Sequence, residues 1–389
     1  MTPAVPTTTG LAARLLCVIA SVLALPACVP LPARSYVDVE RLDLRTAYLE
    51  YTDNVIGSGR YSQSTRQILH LVPEAGDGGD VARAPAALGA STRIDDTERA
   101  FSRAELALAA AERLNAAEPA RARPYYLVAA DQSAQLLFPR GRAIRIDPFD
   151  QRYRLATAFY ALASGRYFLA LMRPEVGYTG ELLERSALGD FTVTFENDDS
   201  SLSAYFFEDF EIAWGVRIEG LRNRYGRDGL GVPLIARRAP GNAFPLEAYL
   251  PAGGYTAPLT TYMRFDPPDA DGNTRVRVAL VDTRGGDHVC LGRQRVPVAA
   301  DFTAPYARQV VQDRSREAGR AALFGQRVDG TRFGVTISAP WDPDKIPLVM
   351  VHGLASSAEA WRQLTNDLLG SEELRNRYQI IHYTYPTTE

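Results

Sequence analysis

Apolar positions recur at helical spacing through the first part of the chain. Arg41–Ile56 mixes apolar and charged residues at this period, and Leu106, Ala110 and Leu114 fall on one stripe. Ser102-x-x-Glu105 has the form of a capping box that would open the second of these helices. Pro119–Pro124 would break it, and Tyr125–Phe138 resumes the period. Tyr153–Met172 predicts a further long helix, its Tyr and Phe stripe belonging to the core. The Gly-, Asp-, Ala- and Pro-rich stretch Pro73–Ala90 reads as a surface loop. No fixed repeat period runs through these helices.

Near Gly177 the period changes to two. Phe191, Val193 and Phe195 alternate with Thr192, Thr194 and Glu196, the pattern of a half-buried strand. Thr260–Phe265, Val276–Val281 and Gln294–Val298 are further strand candidates between Pro, Gly and Asp clusters. Glu208–Tyr225 fits a helix or a strand. Residues 175–340 therefore read as a largely β, sandwich-like domain. The acidic stretch Glu196–Asp199 reads as a solvated turn, because no spaced set of calcium ligands follows it.

The last segment carries the chemistry. Ile346–Val351 is a continuous apolar run, expected as a strand buried on both faces of a parallel sheet. It leads into His352-Gly353-Leu354-Ala355-Ser356-Ser357. Glu359–Leu369 then predicts a helix with Trp361, Leu364 and Leu368 on one side, and Tyr378–Tyr383 a second strand. Together these make one right-handed crossover unit. A glycine directly after the strand lets the main chain bend sharply and approach a ligand. Backbone N–H groups at such a turn can stabilise the oxyanion of acyl transfer. Ser356 and Ser357 read as caps of the Glu359 helix rather than as nucleophiles.

Composition narrows the class. With 46% hydrophobic and 23% charged residues, the chain is neither disordered, collagen-like nor a polytopic membrane protein. A net charge of −3 without blocks of like charge predicts no nucleic-acid partner. Of 43 basic residues only Lys345 is a lysine. After Arg14, the apolar run Leu15–Ala27 has the length of a signal-peptide core and is too short to span a bilayer. Leu25-Pro26-Ala27-Cys28 resembles a bacterial lipobox, which implies a lipid on Cys28 and, with Pro30 in place of Asp, sorting to the outer membrane. The plainer alternative is a secretory signal cut near Ala27. Cys17 would leave with the signal, so Cys290 stands alone and no intramolecular disulfide framework is expected. Asp287-His288-x-Cys290 lacks a second ligand pair and reads as a loop entering a strand. No metal and no cofactor is expected.

Pro347–Leu354, with Trp361 and Tyr383-Thr384-Tyr385-Pro386-Thr387, resembles the opening of an α/β-hydrolase domain over about 45 residues. The likeness is to bacterial lipoprotein-like esterases and lipases with a large N-terminal extension. Tyr255–Thr260 and Val296–Pro305 resemble that extension more loosely. The resemblance implies that the Leu354 N–H is the first oxyanion donor. It also implies that His352 and Gly353 shape the oxyanion turn, with His352 not the catalytic base. The family's nucleophile sits in a G-x-S-x-G elbow, and no such pattern occurs in the 389 residues; Gly57-Ser58-Gly59 has the wrong spacing. None of His70, His288, His352 and His382 lies where the family places its base.

The expectation is thus a multidomain chain. A lipoprotein signal peptide (1–28) precedes an α-helical region (29–174) and a mainly-β domain (175–340). The start of an incomplete α/β-hydrolase domain, with its parallel sheet, fills 341–389. The expected function is that of an envelope-anchored serine esterase or lipase acting on an ester or lipid substrate, present as an N-terminal portion without its triad and inactive as it stands. The alternative is a non-catalytic envelope lipoprotein with a binding or scaffold role.

Overall fold

The computed structural model describes residues 37–41, 43–44, 61–77, 80, 83–139, 146–176, 180–196, 206–239, 241, 246–251, 253–291, 294–312, 333–353 and 356–385. These fall in one compact unit, Tyr36–Glu389.

Among the described residues, five helices precede the main sheet: α1 (Gln63–Leu71), α2 (Arg83–Ala90), α3 (Asp96–Asn115), α4 (Pro119–Leu137) and α5 (Gln151–Leu171). The expected Tyr153–Met172 helix is α5. Of the Arg41–Ile56 stretch, Arg41 ends a short strand, β1 (Asp38–Arg41), and most of the remainder lies outside the described residues. The loop expected at Pro73–Ala90 is not one. Pro73–Ala75 is a 3₁₀ turn and α2 follows, its Ala84 and Leu88 wholly buried against Ile68, Leu69 and Leu106. Pro85 lies in the first turn of α2, where its missing N–H would have no helical acceptor. For the same reason α4 starts at Pro119 instead of breaking there.

The capping box also sits elsewhere. Asp95 accepts from the Glu98 N–H at 2.7 Å, and Glu98 accepts from the Asp95 N–H at 3.1 Å, so α3 opens there. Ser102 is buried in mid-helix. Glu105 instead crosses to α1, accepting from Ser62 N at 2.8 Å and Ser62 Oγ at 2.6 Å, while Ser62 Oγ accepts from Thr65 N at 3.2 Å. A glutamate of one helix thereby completes the N-cap of another. Burial pushes its carboxyl above the ordinary range, against the hydrogen bonds from Ser62 and Thr65.

Eleven strands follow in this region: β2 (Glu181–Ser186), β3 (Gly189–Glu196), β4 (Asp209–Ile212), β5 (Val216–Glu219), β6 (Gly226–Arg227), β7 (Val232–Arg238), β8 (Tyr255–Phe265), β9 (Asn273–Asp282), β10 (His288–Leu291), β11 (Gln294–Pro297) and β12 (Ala300–Asp301). Glu208–Tyr225 therefore holds two strands, β4 and β5. Six strands form a mixed sheet in the order β2-β3-β9-β8-β7-β4, with only the β3–β9 pair parallel. The others make two-stranded ladders: β1 with β5, β10 with β11, and β12 with β6. Phe191 and Val193 turn inward on β3 as their alternation requires.

The six-stranded sheet is covered by helices and is not half of a sandwich. On one face α5 approaches closely: a Cβ on Gly165 would meet Ile212 and Val232 at 3.1 Å. Tyr160 of α5 donates to Met263 O at 2.7 Å and accepts from Met263 N at 2.9 Å. On the other face α6 (Thr303–Gln312) sets Ala304 against Ile235, and Thr256 Oγ1 donates to Pro305 O at 2.6 Å. Buried Phe101, Phe159, Leu234 and Leu259 belong to one apolar cluster, so the helices and the sheet share a core. The boundary expected at 174/175 is a change of secondary structure, not a division between two cores.

The last module is a three-stranded sheet in the order β13-β15-β14, from β13 (Gly334–Ile337), β14 (Ile346–Val351) and β15 (Tyr378–Thr384). β14 and β15 are parallel, with Ile346 opposite Tyr378 and Val351 opposite Tyr383; β13 and β15 are antiparallel. Helices α7 (Arg362–Gly370) and α8 (Glu372–Arg377) make the crossover between the parallel pair. β14 is an edge strand, however, and is not buried on both faces. Ile346, Val349 and Val351 are 47%, 54% and 50% exposed, and only Met350 of this strand is buried.

Nor does α7 dock through its apolar side. Gln363, Asn366, Asp367 and Gly370, at i, i+3, i+4 and i+7, face the segment 220–225 and α6. Gln363 Nε2 donates to Gly220 O (2.7 Å), Asn366 Nδ2 to Asn223 O (2.9 Å), and Tyr225 Oη to Asp367 Oδ1 (2.7 Å). Thr303 Oγ1 of α6 donates to Asn366 Oδ1 at 2.8 Å. Gly370 leaves room for the Tyr225 ring, which a Cβ would meet at 2.2 Å. Leu364, on the apolar side with Trp361 and Leu368, is 44% exposed.

Candidate functional site

The His352-Gly353 turn leaves the carboxyl end of β14, the side of a parallel pair on which ligands of open α/β sheets bind. His352 is buried, and its ring stacks on that of Tyr385 with centroids 4.6 Å apart and planes 10° from parallel. The Tyr385 N–H donates to His352 Nε2 at 3.3 Å, and the Tyr385 hydroxyl donates to His352 O at 2.8 Å. His352 Nδ1 lies 3.0 Å from Gly353 O. A backbone N–H only donates and a carbonyl only accepts, so these partners define a neutral ring protonated on Nδ1. Both ring nitrogens are thus engaged within the turn. His352 braces the main chain and has no free nitrogen to act as a base.

Of the two reasons expected for glycine at 353, the sharp bend is not one the backbone requires. Gly353 is not among the glycines with positive φ, and a Cβ on it would meet none of the described residues within 4 Å. The bend does not require glycine; what glycine leaves is open space over the main chain at the end of the sheet. Leu354, the expected oxyanion donor, lies outside the described residues, as does Cys28. Ser357 occupies the N-cap of the 3₁₀ turn Ala358–Trp361, but its hydroxyl makes no capping bond. That turn closes instead through the Ala360 N–H to Ser357 O, at 3.0 Å.

The remaining histidines are dispersed. His70 is exposed near the end of α1, and His288 Nδ1 pairs with Asp287 at 2.9 Å. His382 lies on β15, its Nε2 3.2 Å from Thr365 Oγ1, and borders a cavity of about 40 Å³ together with Glu359 and Thr384. Burial pushes its imidazole down to about 4, so it is neutral at pH 7. Among the described residues no three His, Cys, Asp or Glu side chains converge as metal ligands, and Cys290 is a free, exposed thiol. The residue that sequence reasoning missed is Tyr385. It was legible only as part of the resembling motif, because its bonds to His352 depend on β15 lying beside β14.

The His382 shift has a consequence for stability. The unfolded imidazole protonates near the ordinary histidine value of 6.5 and the folded one only near 4. The unfolded chain therefore binds more protons in this window, and stability is lost as pH falls from about 6.5 toward 4. The loss attributable to His382 is expected to reach about 3 kcal/mol at the acid end. Urea unfolding of wild type and His382→Gln across that range checks it: the variant should show the flatter profile. Parallel profiles would show that the imidazole is not held neutral.

Compared with known proteins, the chain matches no family model, no curated protein and no solved structure.

Proposed function

We propose that this chain supplies the scaffold and oxyanion turn of an α/β-hydrolase-type serine esterase or lipase, exported and tethered to the outer membrane through a lipid on Cys28. The nucleophile elbow is not among its 389 residues. One observation carries the reading. A parallel pair, β14 and β15, is joined by a helical crossover, and the turn leaving β14 is braced by Tyr385 around an unfilled glycine position. In acyl transfer the attacked carbonyl oxygen becomes an anion, and a fixed main-chain donor there lowers the barrier. The Leu354 N–H is the donor proposed. The chain alone carries no activated serine and is inactive.

The test reads the coding DNA beyond codon 389. A G-x-S-x-G elbow after an apolar strand is expected within roughly a hundred residues. The joined polypeptide should label stoichiometrically with a fluorophosphonate, whereas the 389-residue chain should not. No elbow in any frame, or a joined polypeptide that stays unlabelled, overturns the reading. The anchor is tested separately by feeding cells an alkyne fatty acid. Wild type should take up label and partition into detergent, and Cys28→Ser should do neither.

A further inference from the structure

A cavity of about 490 Å³ opens between the α6 face of the six-stranded sheet and the three-stranded module. Apolar groups line much of it, among them Phe302, Leu368, Leu374 and Ile380. Three cations reach it from distant parts of the sequence: Arg284 after β9, Lys345 before β14, and Arg375 in α8. Among the described residues two carboxylates line it, Asp282 and Asp342.

The charges are unequally matched. Arg284 is held by Asp282, its Nε 3.0 Å from each carboxylate oxygen. Lys345 Nζ stands 3.9 Å from Asp342 Oδ2, beyond hydrogen-bond length. Arg375 is 6% exposed; the Glu372 carboxylate acts on it through space, and Arg227 opposes it. Its guanidinium lies over the Phe302 ring at 3.8 Å, Nη1 donates to Leu369 O at 2.7 Å, and Nε has no acceptor. Burial holds the Lys345 ammonium below the usual lysine range; Asp342 and Asp282 oppose this, and Arg284 and Arg375 add to it. A partly buried cation whose carboxylates stand beyond hydrogen-bond length is costly to keep charged, and an anion entering the cavity relieves that cost.

The position separates this cavity from the candidate turn. Lys345 directly precedes β14, and Tyr378–Ile380 begin β15, so the cavity sits at the amino end of the parallel pair. His352 follows the carboxyl end of β14, about 20 Å away at roughly 3.3 Å per residue. The cavity is therefore not an acyl pocket for that turn, and the inference does not depend on the hydrolase reading.

We propose that this cavity binds a small organic anion, its charged head between Lys345 and Arg375 and its apolar body along Leu368, Leu374 and Ile380. The volume lies in the range of small-molecule pockets, and few polar groups among apolar walls is their usual chemistry.

Thermal unfolding of the full chain tests this with four probes: octanoate, octyl phosphate, octanol and inorganic phosphate. The two amphiphilic anions should raise the melting temperature in a saturable way, and octanol and inorganic phosphate should not. The stronger of the two active probes identifies the head group as carboxylate or phosphate. Lys345→Met should weaken binding about tenfold or more, and Lys345→Arg should stay within about threefold of wild type. A second readout needs no variant. Because Lys345 is the only lysine, acetylation of a side-chain amine reports this site alone, and the active probe should slow it several-fold. Equal stabilisation by octanol, unchanged binding in Lys345→Met, or unprotected acetylation each overturns the proposal.

Discussion

Arg224→Met is expected to lower the unfolding free energy by about 2–3 kcal/mol, because it strands a buried carboxylate whose partner is itself a third exposed. Arg224 reaches the Asp301 carboxylate through Nε at 2.9 Å and Nη2 at 2.8 Å, and that carboxylate is 1% exposed. Arg224 also donates to Ala213 O at 2.8 Å and Val216 O at 3.3 Å. Methionine keeps most of the stem volume, so the effect isolates the lost charge and its hydrogen bonds. Asp301 keeps its bonds from Thr303 N and Ala304 N at the start of α6, which places the cost within the range rather than above it. Arg93→Met is the control, since the Arg93–Glu74 pair is more than half exposed on both sides and should cost less than about 1 kcal/mol. Equal losses in urea unfolding would show that the Asp301 carboxylate does not depend on Arg224. The same variant should raise hydrogen exchange first in α7, because Arg224 anchors the 220–225 segment on which that helix docks.

That docking surface shows where sequence reading failed. Periodicity identifies the side of a helix that could be apolar, and Trp361, Leu364 and Leu368 are such a side. The side by which α7 meets the 220–225 segment is Gln363, Asn366, Asp367 and Gly370, of which only Asn366 is buried, and it is chosen by hydrogen bonds to residues some 140 positions away. The same limit explains Ser102-x-x-Glu105. Its spacing is that of a capping box, yet Glu105 caps α1 across space while Asp95 and Glu98 cap α3. Pro73–Ala90 failed for a compositional reason: Gly and Pro suggested a loop, but Ala84 and Leu88 had a buried surface to meet.

What was legible was local and strongly patterned. Phe191 and Val193 alternate because β3 has one face on the core. Tyr153–Met172 matches α5 because its aromatic residues lie against helices and sheet together. The strand-turn-helix-strand unit at 346–384 was readable from its apolar run, its glycine and its second strand. Its exposure was not, since the burial of β14 is decided by whatever lies on its far side. The cation-lined cavity had no sequence signature at all. Arg284, Lys345 and Arg375 are brought together only by the seating of the last module on the sheet.

Gly353→Ala is expected to leave stability within about 1 kcal/mol of wild type while lowering kcat/KM by about 10²-fold in the joined polypeptide that bears the elbow. The first half follows from geometry. Gly353 is not in the left-handed region and its Cβ direction meets none of the described residues, so alanine is tolerated and loses less chain entropy on folding. The second half follows from function. If the reacting carbonyl lies over this turn, the added methyl occupies its place, and displacement of about 1 Å from the attack geometry costs roughly 10²-fold. Leu354→Pro in the same polypeptide removes the proposed donor, and one lost oxyanion donor costs about 10²–10³ in kcat. Tyr385→Phe keeps the ring stack on His352 and loses the hydroxyl's bond to His352 O, so it should loosen the turn by only about 1 kcal/mol. Ester hydrolysis and urea unfolding measured on the three variants separate the roles. A Gly353→Ala enzyme with full activity would place the reacting carbonyl elsewhere and reduce the His352-Gly353 turn to scaffold.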